Sequence, residues 1–316
     1  MKLRIKAILA GLATYVPGYD YLKATGGTDS ARYCYSVWLR HLRLLHEAGA
    51  LHGVPHTVAE LGPGDSIGIG LAALLSGAER YYALDVVPYP DLNSNLAIFD
   101  ELQRLFRERA PVPAGDEFPG MQPELADYAF PHEILGEAGL TAALAPERAA
   151  DIRASLGRVN APGSRIAYFA PWNDPSVIQG GSIDLIYSQA VLEHVTDMSG
   201  VYEAMRRWLK PGGVMSHQID YRCHGKADTW NGHWTYSDPV WKIVVGRRPY
   251  LLNRAPHSEH LRLLRAAGFA VVKERPVQAA SELEPRQLAA RFRELSERDL
   301  TTCGAYVVAS ARGSAH

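Results

Sequence analysis

The sequence is short of cysteine, of net charge and of long apolar runs, and each shortage excludes a class of protein. Only Cys34, Cys223 and Cys303 occur, far apart and with no CxxC pair. That spacing argues against a disulfide framework and a thiolate zinc site, so a reducing, cytoplasmic compartment is the expectation. With 33 Lys and Arg against 34 Asp and Glu, the formal charge is -1. The balance gives no bulk attraction to phosphate backbones or anionic membranes, leaving only a local basic patch to do so, and no nucleic-acid partner is expected. No segment reaches the roughly 20 apolar residues that span a bilayer. Lys2, Arg4 and Lys6 precede an apolar stretch at 7–13, but Gly11 interrupts it and Pro17 closes it. A short terminal helix packed on the domain is expected there, rather than a leader peptide. Repeats, low-complexity tracts and long charge runs are also missing, which favours one domain with insertions over two independent units.

What is present is 47% hydrophobic residues in a chain of 316, ample for a buried core. Thr28 or Asp29 is placed to cap a helix to about Glu47, with Tyr35, Trp38, Leu42 and Leu45 on one face. A β-rich run at 57–61 enters the turn Gly62-Pro63-Gly64, after which Asp65 or Ser66 should cap a helix that stops at Gly77. The run 80–87, carrying Asp85 near its end, predicts the neighbouring strand. Residues 88–164 break the alternation with an amphipathic helix around Leu96, Phe99, Leu102 and Phe106, a Pro-rich stretch and a second helix near 146–156. They are expected to form an insertion over the sheet's edge. Strand signals resume at 165–169, 183–188 and 213–219, with a helix at 200–209, and a helix at 257–267 precedes strands at 269–273 and 305–309. Strands alternating with helices predict an α/β chain with a parallel sheet, closed here by an antiparallel pair.

The glycines of the first strand-to-helix turn let backbone approach a ligand that a β-carbon would exclude. A dinucleotide fingerprint needs GxGxxG, whereas Gly62, Gly64 and Gly68 space more loosely around Pro63, which weighs against a nicotinamide-dependent oxidoreductase. Asp85 follows about twenty residues later at the end of the next strand, where a carboxylate accepts both ribose hydroxyls of an adenosine.

These residues lead to a resemblance. Glu60-Leu61-Gly62-Pro63-Gly64, the run 182–195 (SIDLIYSQAVLEHV), Trp208-Leu209-Lys210-Pro211-Gly212-Gly213-Val214 and the segment 261–272 with Ala267-Gly268-Phe269 stand in the order of the motifs of the class I S-adenosylmethionine-dependent methyltransferase family. The chain is similar to that family over 58–272. The resemblance implies a Rossmann-like α/β fold with a mostly parallel seven-stranded sheet, helices on both faces and a helical insertion before the third strand. It divides the chain into a helical cover at 1–56 and a methyltransferase domain at 57–316, with 88–164 as a substrate cap. It also implies S-adenosylmethionine as methyl donor, with Gly62 and Gly64 beneath its methionine and ribose, Asp85 on the ribose, Ser188 and Gln189 on the pocket floor and Glu60 orienting the amino group through water. Trp172 would stack on the adenine, and Asn173 or Asp174 would read its amine. The long insertion before the third strand departs from the family's short forms and leaves the adenine contacts open.

Methyl transfer from a sulfonium is an in-line displacement, so alignment and exclusion of water supply much of the acceleration. A hydroxyl acceptor also benefits from a base. The densest set of suitable groups lies at 217–241, where His217 and His233 are the leading candidates for the base and Asp220 for its orienting partner. His224, Trp230, Asn231, Trp234 and Tyr236 are candidates for holding the acceptor. The plainer alternative is that the aromatics pack this loop onto the sheet while its histidines cap backbone groups. A divalent ion on His217, Asp220, His224 and His233 is conceivable but not favoured, since neither HExxH nor CxxC occurs. His194 is expected to brace a helix. The fourth strand lacks the Asn-Pro-Pro-aromatic motif of base-modifying amino-methyltransferases, so a small-molecule or glycan acceptor and O-methylation are the expectation. The rivals are the oxidoreductase and a non-catalytic donor-binding subunit that activates a partner.

Overall fold

The computed structural model describes residues 2–18, 27–88, 91–172, 174–248 and 250–311. Its strands are β1 Thr57–Leu61, β2 Arg80–Leu84, β3 Ile166–Phe169, β4 Ile183–Gln189, β5 Leu209–Asp220, β6 Phe269–Gln278 and β7 Thr302–Ala311. They form one sheet in the order β3-β2-β1-β4-β5-β7-β6. β1 to β5 run parallel, and β7 is antiparallel to both β5 and β6. The order reverses between β1 and β4, the switch point at which open α/β sheets bind ligands beyond their strand ends. The helices are α1 Lys2–Ala13, α2 Ala31–Glu47, α3 Gly68–Ser76, α4 Leu92–Glu108, α5 His132–Leu135, α6 Glu137–Ala143, α7 Pro146–Leu156, α8 Met198–Trp208, α9 Asp238–Val245, α10 His257–Ala266 and α11 Glu297–Thr301.

Because side chains alternate across a strand, the central strands sort their residues between two cores. Val58, Tyr81, Ala83, Leu185, Tyr187 and Val214 pack with α2, α3 and α4. Ala59, Leu61, Leu84, Ile186, Met215 and Ile219 pack with α8 and α10 on the opposite face. Helices therefore cover both faces, as expected.

Local details differ from the sequence reading. Ser30, not Thr28 or Asp29, caps α2 by accepting from the Tyr33 N–H. Thr28 Oγ1 is occupied elsewhere, donating to the Pro63 carbonyl at 2.8 Å and accepting from Ser66 N at 3.0 Å, so it staples the glycine turn. α3 starts at Gly68, and Asn95 of α4 supplies the oxygen that accepts from Ile67 N at 3.0 Å.

The apolar residues of the insertion extend the core. Val112, Leu125, Phe130, Leu135, Leu140, Ile152 and Leu156 are buried against α2, α3 and α4, and the buried Arg40 of α2 donates to the carbonyls of Pro123 and Pro113 at 2.6 and 3.0 Å. The helix α1 docks on α9, and Gly11 allows that contact: a β-carbon there would lie 1.9 Å from the Ile243 carbonyl oxygen.

One buried carboxyl joins the three central strands. Glu60 Oε2, on β1, accepts from Tyr81 Oη of β2 at 2.5 Å and from Tyr187 Oη of β4 at 3.1 Å. Burial pushes the Glu60 carboxyl up to about 8, against the opposing effect of the two tyrosine donors. Its ordinary value is 4.5, so the unfolded chain loses this proton near that pH while the folded chain keeps it to about 8. Between those limits the unfolded state binds fewer protons, and this group makes stability fall as pH rises. Glu60→Gln, which cannot ionise, should therefore gain stability over the wild type on going from pH 5 to pH 8, by on the order of a few kcal/mol. Urea denaturation at both pH values checks it, and a difference independent of pH would refute the buried protonated carboxyl.

Candidate active site

At the C-terminal ends of β1, β2 and β4 lies a cavity of about 800 Å³, within the range of small-ligand sites. Leu61, Gly62, Gly64, Asp85, Trp172 and Gln189 are among its walls. Gly62 and Gly64 have φ of 64° and 74°, a backbone region that glycine enters without steric cost. Gly62 N–H donates to the Leu84 carbonyl at 2.8 Å, which fixes the turn onto the end of β2. A β-carbon on Gly62 would come within 2.6 Å of Val191 Cγ2, so the turn and the segment after β4 approach as closely as backbone permits.

Asp85 follows β2 and is 5% exposed. Its Oδ2 accepts from Gly64 N at 3.3 Å and its Oδ1 from Val86 N at 2.6 Å. Burial raises its pKa, partly offset by these backbone N–H groups. A carboxylate so held keeps lone pairs for a diol at the cavity wall. Trp172 lies edge-on to Trp208 at 5.2 Å between centroids. Asn173 lies outside the described residues. A positive-φ glycine turn, an anchored acid and an aromatic wall around an 800 Å³ space together fit a nucleoside-bearing donor.

Other residues singled out from sequence stand elsewhere. Glu60 is not on the cavity wall, because strand alternation turns it into the core between Tyr81 and Tyr187. Ser188 is fully buried and shares a 2.7 Å hydrogen bond with His217 Nδ1. Neither lines the cavity. His217 lies within β5 opposite Val307, as the expected strand at 213–219 requires, but it faces the interior and not the cavity, and burial depresses its pKa to about 3. His233 is buried against Trp234, with ring centroids 5.0 Å apart, and burial holds it at about 3 as well. Trp230 donates to the Ala280 carbonyl, Trp234 to that of Arg254 and Tyr236 to that of Lys226. Asn231 donates to Ser281 Oγ at 2.8 Å. None of these five residues lines the cavity, so this part of the loop is a packing unit rather than an acceptor wall. The four-residue metal set is likewise not assembled: among the described residues no three His, Cys, Asp or Glu form a cluster suited to an ion.

Two candidates from the loop do reach the site. His224, in left-handed backbone with φ of 46°, lines the cavity, and its Nε2 is 3.4 Å from Asp220 Oδ2. Burial opposes ionisation of Asp220, but His224 and Arg222 outweigh it and hold its carboxyl below the usual carboxylate range. Asp220 also lines a second cavity of about 370 Å³, with Glu117, Gln122, Gln218 and Arg222. Tyr33, Gln189 and Ala190 belong to both cavities.

Sequence reasoning missed much of the rest of the wall, including one titratable side chain beside His224. His194, which it assigned to bracing, lies on the main cavity's wall with its ring 5.4 Å from that of His224, and burial, reinforced by His224, lowers its pKa to about 4. Tyr250 and Tyr33 complete this side. Glu193-His194, inside the fourth-strand motif, was the available signal for His194; Tyr33 and Tyr250 carry none, since only folding brings them there.

A doubly wound sheet closed by an antiparallel seventh strand, with a glycine turn and an anchored acid at its switch point, defines the Rossmann-like methyltransferase class. The methyltransferase domain family model matches residues 39–274. The chain belongs to that family and is a class I, S-adenosylmethionine-dependent methyltransferase, which removes the oxidoreductase alternative. A search of curated proteins gives no significant match. Similar solved structures include an S-adenosylmethionine-dependent methyltransferase from Mesorhizobium loti, 16% identical over 87% of this chain and 97% of that one, with a TM-score of 0.41. Another, from Methanosarcina mazei, is 13% identical over 86% and 98%, with a TM-score of 0.44. Phosphoethanolamine N-methyltransferase 2 of Haemonchus contortus, solved with S-adenosyl-L-methionine, is 15% identical over 94% and 60%, with a TM-score of 0.44.

Two substitutions test the donor cavity. Asp85→Ala should weaken S-adenosylmethionine binding by about 2 kcal/mol or more, through loss of charge-assisted hydrogen bonds. Calorimetry on the folded variant decides it, and unchanged affinity refutes a ribose contact. Gly64→Val should abolish donor binding while circular dichroism still reports the sheet, because a β-branched residue at this φ is strained and fills the donor's path. Wild-type affinity there would make the turn merely structural.

Proposed function

We propose that the protein methylates a hydroxyl of a small-molecule or carbohydrate-linked acceptor seated in the 370 Å³ chamber, with His224 as the base and Asp220 as its orienting partner. One observation carries this reading: the contacting pair spans both spaces, with His224 on the donor cavity and Asp220 on the adjoining chamber.

In this reading Gly62, Gly64 and Asp85 hold the donor, Trp172 flanks its base, and Gln189 stands where the two spaces meet. When bound, S-adenosylmethionine supplies an electrophilic methyl group. The stretch 117–122 of the insertion lines the chamber as the part of the cap that touches acceptor. Asp220 holds the Nε2 proton of His224, so the other ring nitrogen receives the proton released by the acceptor hydroxyl as its oxygen takes the methyl. The ion pair formed with Asp220 stabilises the protonated ring as the displacement proceeds. Gln189 is itself fixed, donating to the Gln122 carbonyl at 2.7 Å, so the boundary between the spaces is braced by the insertion.

The test is to incubate the protein with methyl-labelled donor and fractionated cell extract, then identify the labelled pool by mass spectrometry. A methyl ether on a small molecule or glycan is the expected product; a labelled amine or nucleic acid overturns the acceptor class, and donor binding without turnover favours a non-catalytic subunit. On that acceptor His224→Ala should lower turnover roughly 10²-fold or more and leave donor affinity nearly unchanged. Undiminished turnover in both His224→Ala and Asp220→Asn would show that the pair is not the proton acceptor.

A further inference from the structure

The helix α1 is apolar on two sides, and only one of them is used by the fold. Ala7, Gly11 and Thr14 are buried against α9, and the contact is fastened by Arg247 N donating to Thr14 Oγ1 at 2.9 Å and Arg248 donating to the Ala10 carbonyl at 3.0 Å. On the opposite side Ile5, Leu9 and Leu12 are 53%, 59% and 48% exposed. Their i, i+4, i+7 spacing puts them in one stripe. Tyr15 and Val16 continue it beyond the helix, at 51% and 59%, and Ile243 of α9 adds to the exposed apolar surface of the docked pair. Of the nine large hydrophobic residues exposed among those described, six belong to this helix pair and its extension.

Basic residues flank the patch. At about 100° per residue, Arg4 and Lys6 flank the stripe on either side of Ile5. Lys242 and Arg247 are exposed on the α9 side, and the Arg247 guanidinium lies over the Tyr15 ring at 5.2 Å. Neither residues 1–19 nor residues 239–250 contain Asp or Glu. An apolar stripe flanked by Arg4, Lys6, Lys242 and Arg247, with Asp238 at the start of α9 already paired to Arg254 and Arg291, matches the boundary of an anionic bilayer, where the stripe enters the acyl edge and the cations meet headgroups. A second copy of the chain fits worse, because a two-fold contact through the stripe brings the basic flank of one copy against the basic flank of the other. No helix among the described residues is long and apolar enough to cross a membrane.

We propose that this face of α1 and α9 seats the protein on an anionic membrane surface, peripherally and without spanning it. The location has a bearing on the active site. Arg247 at the rim and Tyr250 on the donor-cavity wall are three residues apart, at most about 11 Å of extended chain.

The experiment is flotation of the full chain with phosphatidylcholine vesicles, with and without phosphatidylglycerol, at low and high salt. The protein should float with the phosphatidylglycerol vesicles and not with phosphatidylcholine alone, and added salt should weaken the association. Leu9→Asp, at an exposed position, should reduce binding to the anionic vesicles roughly tenfold or more while leaving S-adenosylmethionine affinity unchanged. Lys6→Glu should act in the same direction. Failure to float with anionic vesicles, equal binding to both vesicle types, or binding indifferent to Leu9→Asp would each overturn the proposal. A wild-type dimer that Leu9→Asp converts to monomer, seen by light scattering without vesicle binding, would assign the face to a second copy instead.

Discussion

Glu60 is the penultimate residue of β1, and its carboxyl is met by Tyr81 of β2 on one side and Tyr187 of β4 on the other. A carboxyl this deep is costly as an anion, and the fold reduces that cost by keeping it protonated and supplying two phenolic donors. The arrangement ties β1 to β2 and β4 at a level just below the strand ends. Those ends carry Gly62, the approach to Asp85 and Gln189, so the three strands that build the donor cavity share one buried anchor. Gly70 of α3 closes against the same Tyr81 ring, where a β-carbon would lie 2.1 Å from ring carbon Cζ, so the helix after the glycine turn rests on the clamp as well.

Above that level the chain divides its labour by strand parity. Residues of odd number on β5 enter the core shared with α8 and α10, which takes His217 with Met215 and Ile219 away from the cavities. Residues of even number turn to the other side, where Ser216 meets His41 at 2.6 Å and both Gln218 and Asp220 reach the smaller chamber. A single step in register therefore separates a histidine held neutral inside the protein from a carboxylate at the edge of a ligand space. The loop beyond β5 then uses most of its aromatics to fasten 226–300 together, while His224 and Tyr250 reach the main cavity.

The insertion between β2 and β3 follows the same economy of contacts. Its apolar residues complete a core with α2, α3 and α4, whereas 117–122 alone borders the smaller chamber. Arg32 of α2 binds Glu117 with both guanidinium nitrogens at 2.6 Å, which fixes one end of that stretch beside Tyr33. The two sides of the chamber are thus held by α2 and by the ends of β4 and β5, and its shape depends on packing far from the glycine turn.

By itself the sequence determined the class of fold and pointed to the cavity at its switch point, because both depend on local rules. Alternating strand and helix periods located all seven strands, and the Gly62-Pro63-Gly64 turn followed by Asp85 pointed to the switch point, since backbone freedom at glycine and an acid at a strand end act within a few residues of chain. The acceptor side was not legible in the same way. His217, His233, Trp230, Asn231, Trp234 and Tyr236 have the right chemistry, yet strand parity turns His217 into the interior, His233 packs on Trp234, and the other four meet partners 10 to 69 residues away. His194 and Tyr250 join the Asp220–His224 pair from separate segments, and no periodicity records that they meet. Which polar side chains are spent on packing and which face a ligand is settled by strand register and by contacts distant in sequence, and only the tertiary structure decides those.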